Sequence, residues 1–283
     1  MARKRITMLM VAMLGLSSGA SVALFPARAD AESVLDKVKS QGELVLCTEF
    51  QFAPFEFLEG GRSVGYSVDL MDQVAADLGI KVRYIDLPFV STLPSLAAQK
   101  CDMIEATTTI TKARLERYYF TLPIADATVA LVKRADDDSI KKPSDIAGKV
   151  VGGTKGSAQT ETLRAYANTL PGGVSEVKEY MGSPNAYADL SAGRVVVVAQ
   201  SLANLVYLAK QRPKDFAVVL PPIGPKAYFG WFTRKEDSST PLIEAFNASL
   251  RKLQQSGKMA ELQKKWFNVA MELPTEPFLT PSN

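Results

Sequence analysis

Histidine is absent from the 283 residues, and cysteine occurs only twice. Without histidine there can be no Ser-His-Asp or Cys-His nucleophile, and no His-ligated zinc, haem or copper. Two thiols cannot build a four-thiolate zinc or iron–sulfur centre. No metal and no cofactor is expected. Apolar runs of the ~20 residues that a membrane span needs are also lacking. So is a basic face with interleaved aromatics: the 33 Lys and Arg and 30 Asp and Glu are mixed along the chain, which argues against nucleic acid as a partner. What is left is an ordinary globular composition, 47% hydrophobic and 22% charged, at a length that suits one large domain or two modest ones.

The N-terminus has three parts. Arg3, Lys4 and Arg5 precede an apolar stretch from Ile6 to Leu16, and small residues lead to Ala27-Arg28-Ala29. That order is the pattern of a secretory signal peptide, assigned to residues 1–29, and the apolar part is too short to be an anchor. Arg28 and the three leading charges would leave with it, moving the formal balance from +3 to −1. A soluble, exported, monomeric protein is expected. In an oxidising compartment Cys47 and Cys101 could be bridged, but the apparent stagger of their strand-like runs favours two buried free thiols.

Beyond the leader, strand-like runs alternate with helical patterns. Glu43 to Cys47, Lys81 to Ile85 and Asp102 to Ala106 read as strands, separated by helical spacing over Ser67 to Leu78 and Thr92 to Gln99. The pattern restarts at Val129 to Lys133 and ends in two helices after Leu242. Such alternation implies an α/β fold whose sheets are mostly parallel and flanked by helices. Ligands of open parallel sheets bind beyond the C-terminal ends of strands, which directs attention to three loops. One, 48–54, carries Glu49 and Phe52. Another, 107–114, carries Thr107, Thr109 and Arg114, a guanidinium suited to a carboxylate. The third, 153–159, carries Ser157, Ala158 and Gln159 at a helix start, where free N–H groups favour an anion. Capping alone would also explain Thr111 and Ser157. Phe89, between Pro88 and a helix start, could flank a ligand.

Several segments, in order, are similar to the periplasmic solute-binding proteins that serve polar-amino-acid ABC transporters (bacterial extracellular solute-binding proteins, family 3). They include Pro54-Phe55-Glu56-Phe57, Gly65-Tyr66-Ser67-Val68-Asp69-Leu70, Thr109-Ile110-Thr111 with Arg114, Asp145-Ile146-Ala147-Gly148-Lys149, Ala192-Gly193-Arg194 and Lys265-Trp266-Phe267. The resemblance implies the two-lobed periplasmic-binding-protein fold, with two hinge strands joining lobe 1 (residues 30–133 and 227–283) to lobe 2 (residues 134–226). It also implies a periplasmic location, a membrane permease as partner, and capture of an amino acid or related small carboxylate by closing lobes. Carried over, Arg114 and Thr109 would hold a carboxylate, Ala158 or Gln159 would add N–H groups, and Phe52 and Phe89 would flank the ligand. Glu49 would face its polar end.

The departures bear on the ligand. Where relatives that bind α-amino acids place an Asp for the α-ammonium, this chain has Ser201, preceded by Gln200, and Thr107 replaces a frequent small residue. Two ligand classes stay open: an α-amino acid whose ammonium shifts toward Glu49 or main-chain carbonyls, or an organic carboxylate lacking the α-ammonium, with a planar or apolar body between Phe52 and Phe89. The rival from another class is a periplasmic lyase resembling cyclohexadienyl dehydratase on the same fold, although the expectation is a binding protein and not an enzyme.

Overall fold

The computed structural model describes residues 32–277, so the leader assigned to residues 1–29 lies outside the described residues. Three parallel strands start the first sheet, in the order Lys81–Asp86, Glu43–Thr48, Met103–Thr109. Tyr228–Arg234 then pairs antiparallel with Met103–Thr109, and Tyr118–Phe120 and Ala125–Asp126 pair antiparallel with Tyr228–Arg234. The second sheet repeats the plan. Glu176–Tyr180, Val150–Thr154 and Val197–Ser201 run parallel, followed by antiparallel Val129–Arg134 and Phe216–Ile223. The parallel arrangement thus holds for three strands of each sheet. The remaining strands include those flanking the passages between sheets, which enter from the opposite direction.

Each sheet is packed on its own core. Helices Tyr66–Leu78 and Thr240–Gln255 bury Leu70, Met71, Val74, Phe246 and Leu250 against the first sheet, with Trp231 and Phe229 in the same cluster. In the second, Leu163 and Val151 lie in one cluster, and Leu205, Leu190 and Val198 in another. Alternate residues of a strand point to opposite faces, so a sheet buried on both sides needs two such clusters. The fold is therefore two-lobed, one lobe around each sheet.

The chain crosses between the sheets twice, after Ala125–Asp126 and after Phe216–Ile223. Val129–Arg134 belongs to the second sheet, so the first crossing lies before that strand and not at the 133/134 limit that the resemblance implies. The true joint is short and carries no compositional signal. Pro221 and Pro222 lie within Phe216–Ile223. That strand is at the sheet edge and its register shifts between Val219 and Ile223, so absent N–H groups cost no ladder bond.

A short three-stranded sheet, Gln51–Phe52, Glu56–Glu59 and Arg62–Val64, fills what the sequence reads as a loop and its flank. Gly65 seats it against helix Tyr66–Leu78. Its φ is +136°, and a Cβ there would stand 2.1 Å from the Phe55 carbonyl oxygen. The absent side chain lets the amides of Tyr66 and Ser67 donate to the carbonyls of Pro54 and Phe55 at 2.9 and 2.8 Å.

Cys47 and Cys101 form a disulfide, with Cα atoms 5.7 Å apart, which corrects the expectation of free thiols. In the ladder Cys47 faces Ile104, as the stagger argument requires. Cys101, however, precedes the strand Met103–Thr109, and the chain there bends back toward Glu43–Thr48, with the Asp102 amide donating to the Val45 carbonyl at 2.8 Å. Among the described residues no helix is long and apolar enough to cross a membrane.

Candidate functional site

A polar pocket lies where strand ends of both sheets meet. From the first lobe it is lined by Glu49, Phe52, Glu56, Phe89, Thr107, Thr109 and Arg114, among others, and from the second by Thr154, Ser157, Gln159, Ser183 and Gln200. The two walls touch. The Arg114 guanidinium donates through Nη1 to the Thr109 carbonyl at 2.9 Å and through Nη2 to the Gly156 carbonyl of the opposite lobe at 3.3 Å.

Arg114 sits on a single helical turn, Lys112–Leu115, that Thr111 caps by accepting from the Arg114 amide at 3.4 Å. Capping and presentation are thus the same device. The guanidinium carbon stands 5.9 Å from the centroid of the Phe89 ring. Burial lowers its pKa to about 10, so it keeps its charge at neutral pH. The Thr109 hydroxyl beside it is buried and has no hydrogen-bond partner among the described residues. A buried hydroxyl left so is costly unless a ligand satisfies it.

Glu49, 8% exposed, follows the first strand, and its Oε1 accepts from the Phe89 amide at 3.2 Å. Burial pushes its carboxyl up to about 7; the Phe89 N–H opposes that shift and Asp86 adds to it. Glu56 is a second pocket acid that sequence reasoning missed. It accepts from the Thr107 amide at 2.8 Å and from the Thr107 hydroxyl at 2.5 Å. Burial first, then the neighbouring Glu105, holds its carboxyl well above the usual range. Glu105 itself lies just behind, raised to about 7 by burial although the Ser67 and Thr48 hydroxyls both donate to it. Three acids so close and so dry favour protons over charge.

The second wall is uncharged. Ser157 caps helix Ala158–Ala167, accepting from the Thr160 amide at 3.2 Å. Gly153 permits this turn, because a Cβ there would lie 2.2 Å from the Thr160 hydroxyl oxygen. Gln200 donates to Ser183 at 3.1 Å, and Ser183 lies 3.4 Å from the Thr154 hydroxyl.

Of the residues singled out in the sequence, Ala158 and Ser201 do not line this pocket. Ala158 borders a neighbouring hollow with Thr109 and Glu161. Ser201 is fully buried, and its hydroxyl is engaged as the cap of helix Leu202–Gln211, accepting from the Asn204 amide at 3.3 Å. Besides Glu56, the residues sequence reasoning missed are Ala106, Thr108, Thr154 and Ser183. Thr154 ends the strand Val150–Thr154 and falls in the 153–159 loop, so the strand-end rule could have found it. Ser183 follows Glu176–Tyr180, a strand whose charged, half-exposed sequence carries no apolar signal. Among the described residues no group of three or more His, Cys, Asp or Glu could hold a metal ion.

Two lobes that shut on a pocket charged on one wall and neutral on the other define a hinged trap for a small polar ligand. The profile of the bacterial extracellular solute-binding proteins, family 3, matches residues 44–269, and the chain belongs to that family. The L-cystine-binding protein TcyJ of Escherichia coli (strain K12) is 30% identical over 260 residues, which cover 90% of this chain and 94% of that protein. An ancestral arginine-binding protein with arginine bound is 32% identical, with a TM-score of 0.73 over 80% of this chain and 98% of that one. The ancestral amino acid-binding protein AncCDT-1, a precursor of cyclohexadienyl dehydratase, is 25% identical, with a TM-score of 0.74 over 83% of this chain and all of that one.

Proposed function

We propose that the chain is the periplasmic solute-binding component of an amino-acid ABC importer, capturing an amino acid or related small carboxylate and presenting it to a membrane permease as a monomer. The observation that carries the ligand reading is the pairing within one pocket of a desolvated Arg114 with a Glu49 carboxyl held near neutrality. Arg114 and the unpartnered Thr109 hydroxyl take the carboxylate. Glu49 takes the ammonium. Phe52 and Phe89 flank the aliphatic part, and Ser157, Gln159, Ser183 and Gln200 close over it. The lobe limits we assign follow the crossings: residues 32–127 with 226–277, and residues 128–225. Relatives are named for binding L-cystine and arginine, which supports an amino acid without choosing one.

Catalysis is the second reading, favoured by two raised carboxyls in the pocket and by the likeness to a dehydratase precursor. A general acid must reach the leaving group. Glu56 is engaged twice by Thr107 and Glu49 by Phe89, which supports positioning over proton delivery. The test is equilibrium binding of radiolabelled L-arginine, L-histidine and L-cystine to chain stripped of ligand by unfolding and refolding. Saturable binding of at least one, at one per chain and lost in Arg114→Ala, is expected. Turnover of a cyclohexadienyl carboxylate with no amino-acid binding would replace this reading by the enzymatic one.

A further inference from the structure

Helix Leu202–Gln211 belongs to the second lobe, where Leu205 packs in the same cluster as Phe216 and Tyr187. One of its sides meets the first lobe instead. Ala203 packs on the first-lobe core, the Asn204 side-chain Nδ2 donates to the Ala53 carbonyl, and the Tyr207 ring lies 6.3 Å from the Phe57 ring. Positions 203, 204 and 207 are near-neighbours on one helix face. Asn204 is 4% exposed, and its Oδ1 accepts from the Tyr187 hydroxyl at 2.6 Å. Because a carbonyl only accepts, the side facing Ala53 must be the NH₂ group.

Ala53, Phe57, Asn204 and Tyr207 do not line the ligand pocket. Apart from Phe57, they border a separate outer hollow together with Gln51 and Tyr187. Contacts made across the cleft but away from the ligand stabilise the shut form equally for every ligand. Affinity then scales with the fraction of molecules already competent to hold ligand. We propose that Asn204 is a positioning residue for binding: with Tyr207 it latches the lobes together and sets affinity without setting specificity. The latch deepens the amino-acid reading, but its scattering test does not depend on it.

The test uses Asn204→Asp at pH 8 and, as a second variant, Tyr207→Leu. Aspartate keeps the acceptor for Tyr187 and removes the donor to Ala53; Tyr207→Leu leaves Asn204 intact if the first variant fails to fold. Small-angle scattering of ligand-stripped protein should give a larger radius of gyration for the variants than for the parent chain. Calorimetry with L-arginine, L-histidine and L-cystine should show the variants weakened about fivefold or more, by one common factor for every probe that binds the parent chain. An unchanged radius of gyration in both variants overturns the latch, as does a loss of affinity that differs between probes. Expansion in the variants while no probe binds the parent chain supports the latch and removes the amino-acid reading.

Discussion

The carboxylate of Glu49 is held by the backbone of Phe89, whose N–H donates to Oε1 at 3.2 Å, while the Phe89 ring lies 5.9 Å from the Arg114 guanidinium. One residue thus fixes the acid through its main chain and borders the cation through its ring. A zwitterion placed between Glu49 and Arg114 would lie against that ring.

Binding should depend on pH through Glu49. Its carboxyl ionises near pH 7 in the folded chain, where an ordinary glutamate does so near 4.5. A ligand ammonium favours the ionised form, so affinity for an amino acid rises as pH climbs through about 7 and levels off above it. Calorimetry at pH 5.5 and 8 checks this, and Glu49→Gln should flatten the profile.

The same groups set the stability of the empty protein with a definite sign. Glu49 and Glu105 both bind protons more tightly folded than unfolded, at about 7 against 4.5. Between those values the unfolded chain holds fewer protons, so their contribution to stability falls as pH rises from about 4.5 to 7. Denaturant melts of ligand-stripped protein across that window should show the decline, and Glu105→Gln should reduce it.

Arg114→Ala removes a half-buried charge that a bound carboxylate would pair with and bury further. Truncating one partner of a buried, hydrogen-bonded charge pair costs about 2–5 kcal/mol, so affinity should drop roughly 30-fold or more. Arg114→Lys should recover little of it, since a point charge cannot reproduce the two-pronged contact. Isothermal titration of both variants measures the loss.

Much of this site is legible in the sequence because its chemistry sits at the ends of strands with strong apolar patterns. Thr109 ends Met103–Thr109 and Arg114 follows it, Glu49 follows Glu43–Thr48, and Gln200 comes near the end of Val197–Ser201. Glu56 was hidden because the strand that presents it is short, mixes one acid with one apolar residue on each face, and is fixed by Gly65, whose role is a close backbone approach with no periodic signature. Ser201 was misleading for a different reason. Matching it to a ligand-binding position ignores that the same residue must cap the next helix, and its hydroxyl is spent there. The bridge between Cys47 and Cys101 escaped because register fixes only residues inside the ladder, and Cys101 stands before it.

Gly65→Ala should be among the most damaging substitutions outside the pocket. The added carbon would overlap the Phe55 carbonyl, and the positive φ disfavours any side chain. A loss of about 2–4 kcal/mol is expected in denaturant melts, large for one methyl group and in the range of backbone strain.

Reducing the Cys47–Cys101 bridge, or replacing it by Cys101→Ser, should also lower stability. A cross-link that closes a loop spanning 54 positions contributes about 2–5 kcal/mol. Melts with and without reductant should separate by that amount, and the difference should vanish in the variant.

The most direct test of the central claim is a thermal-shift comparison of ligand-stripped protein with amino acids and their deaminated counterparts, pair by pair. A ligand that binds only the folded chain raises the melting temperature by mass action. At least one amino acid is expected to raise it while the matching α-keto acid does not, because Glu49 reads the ammonium. Shifts with the deaminated acids alone, or with no amino acid at all, would contradict it.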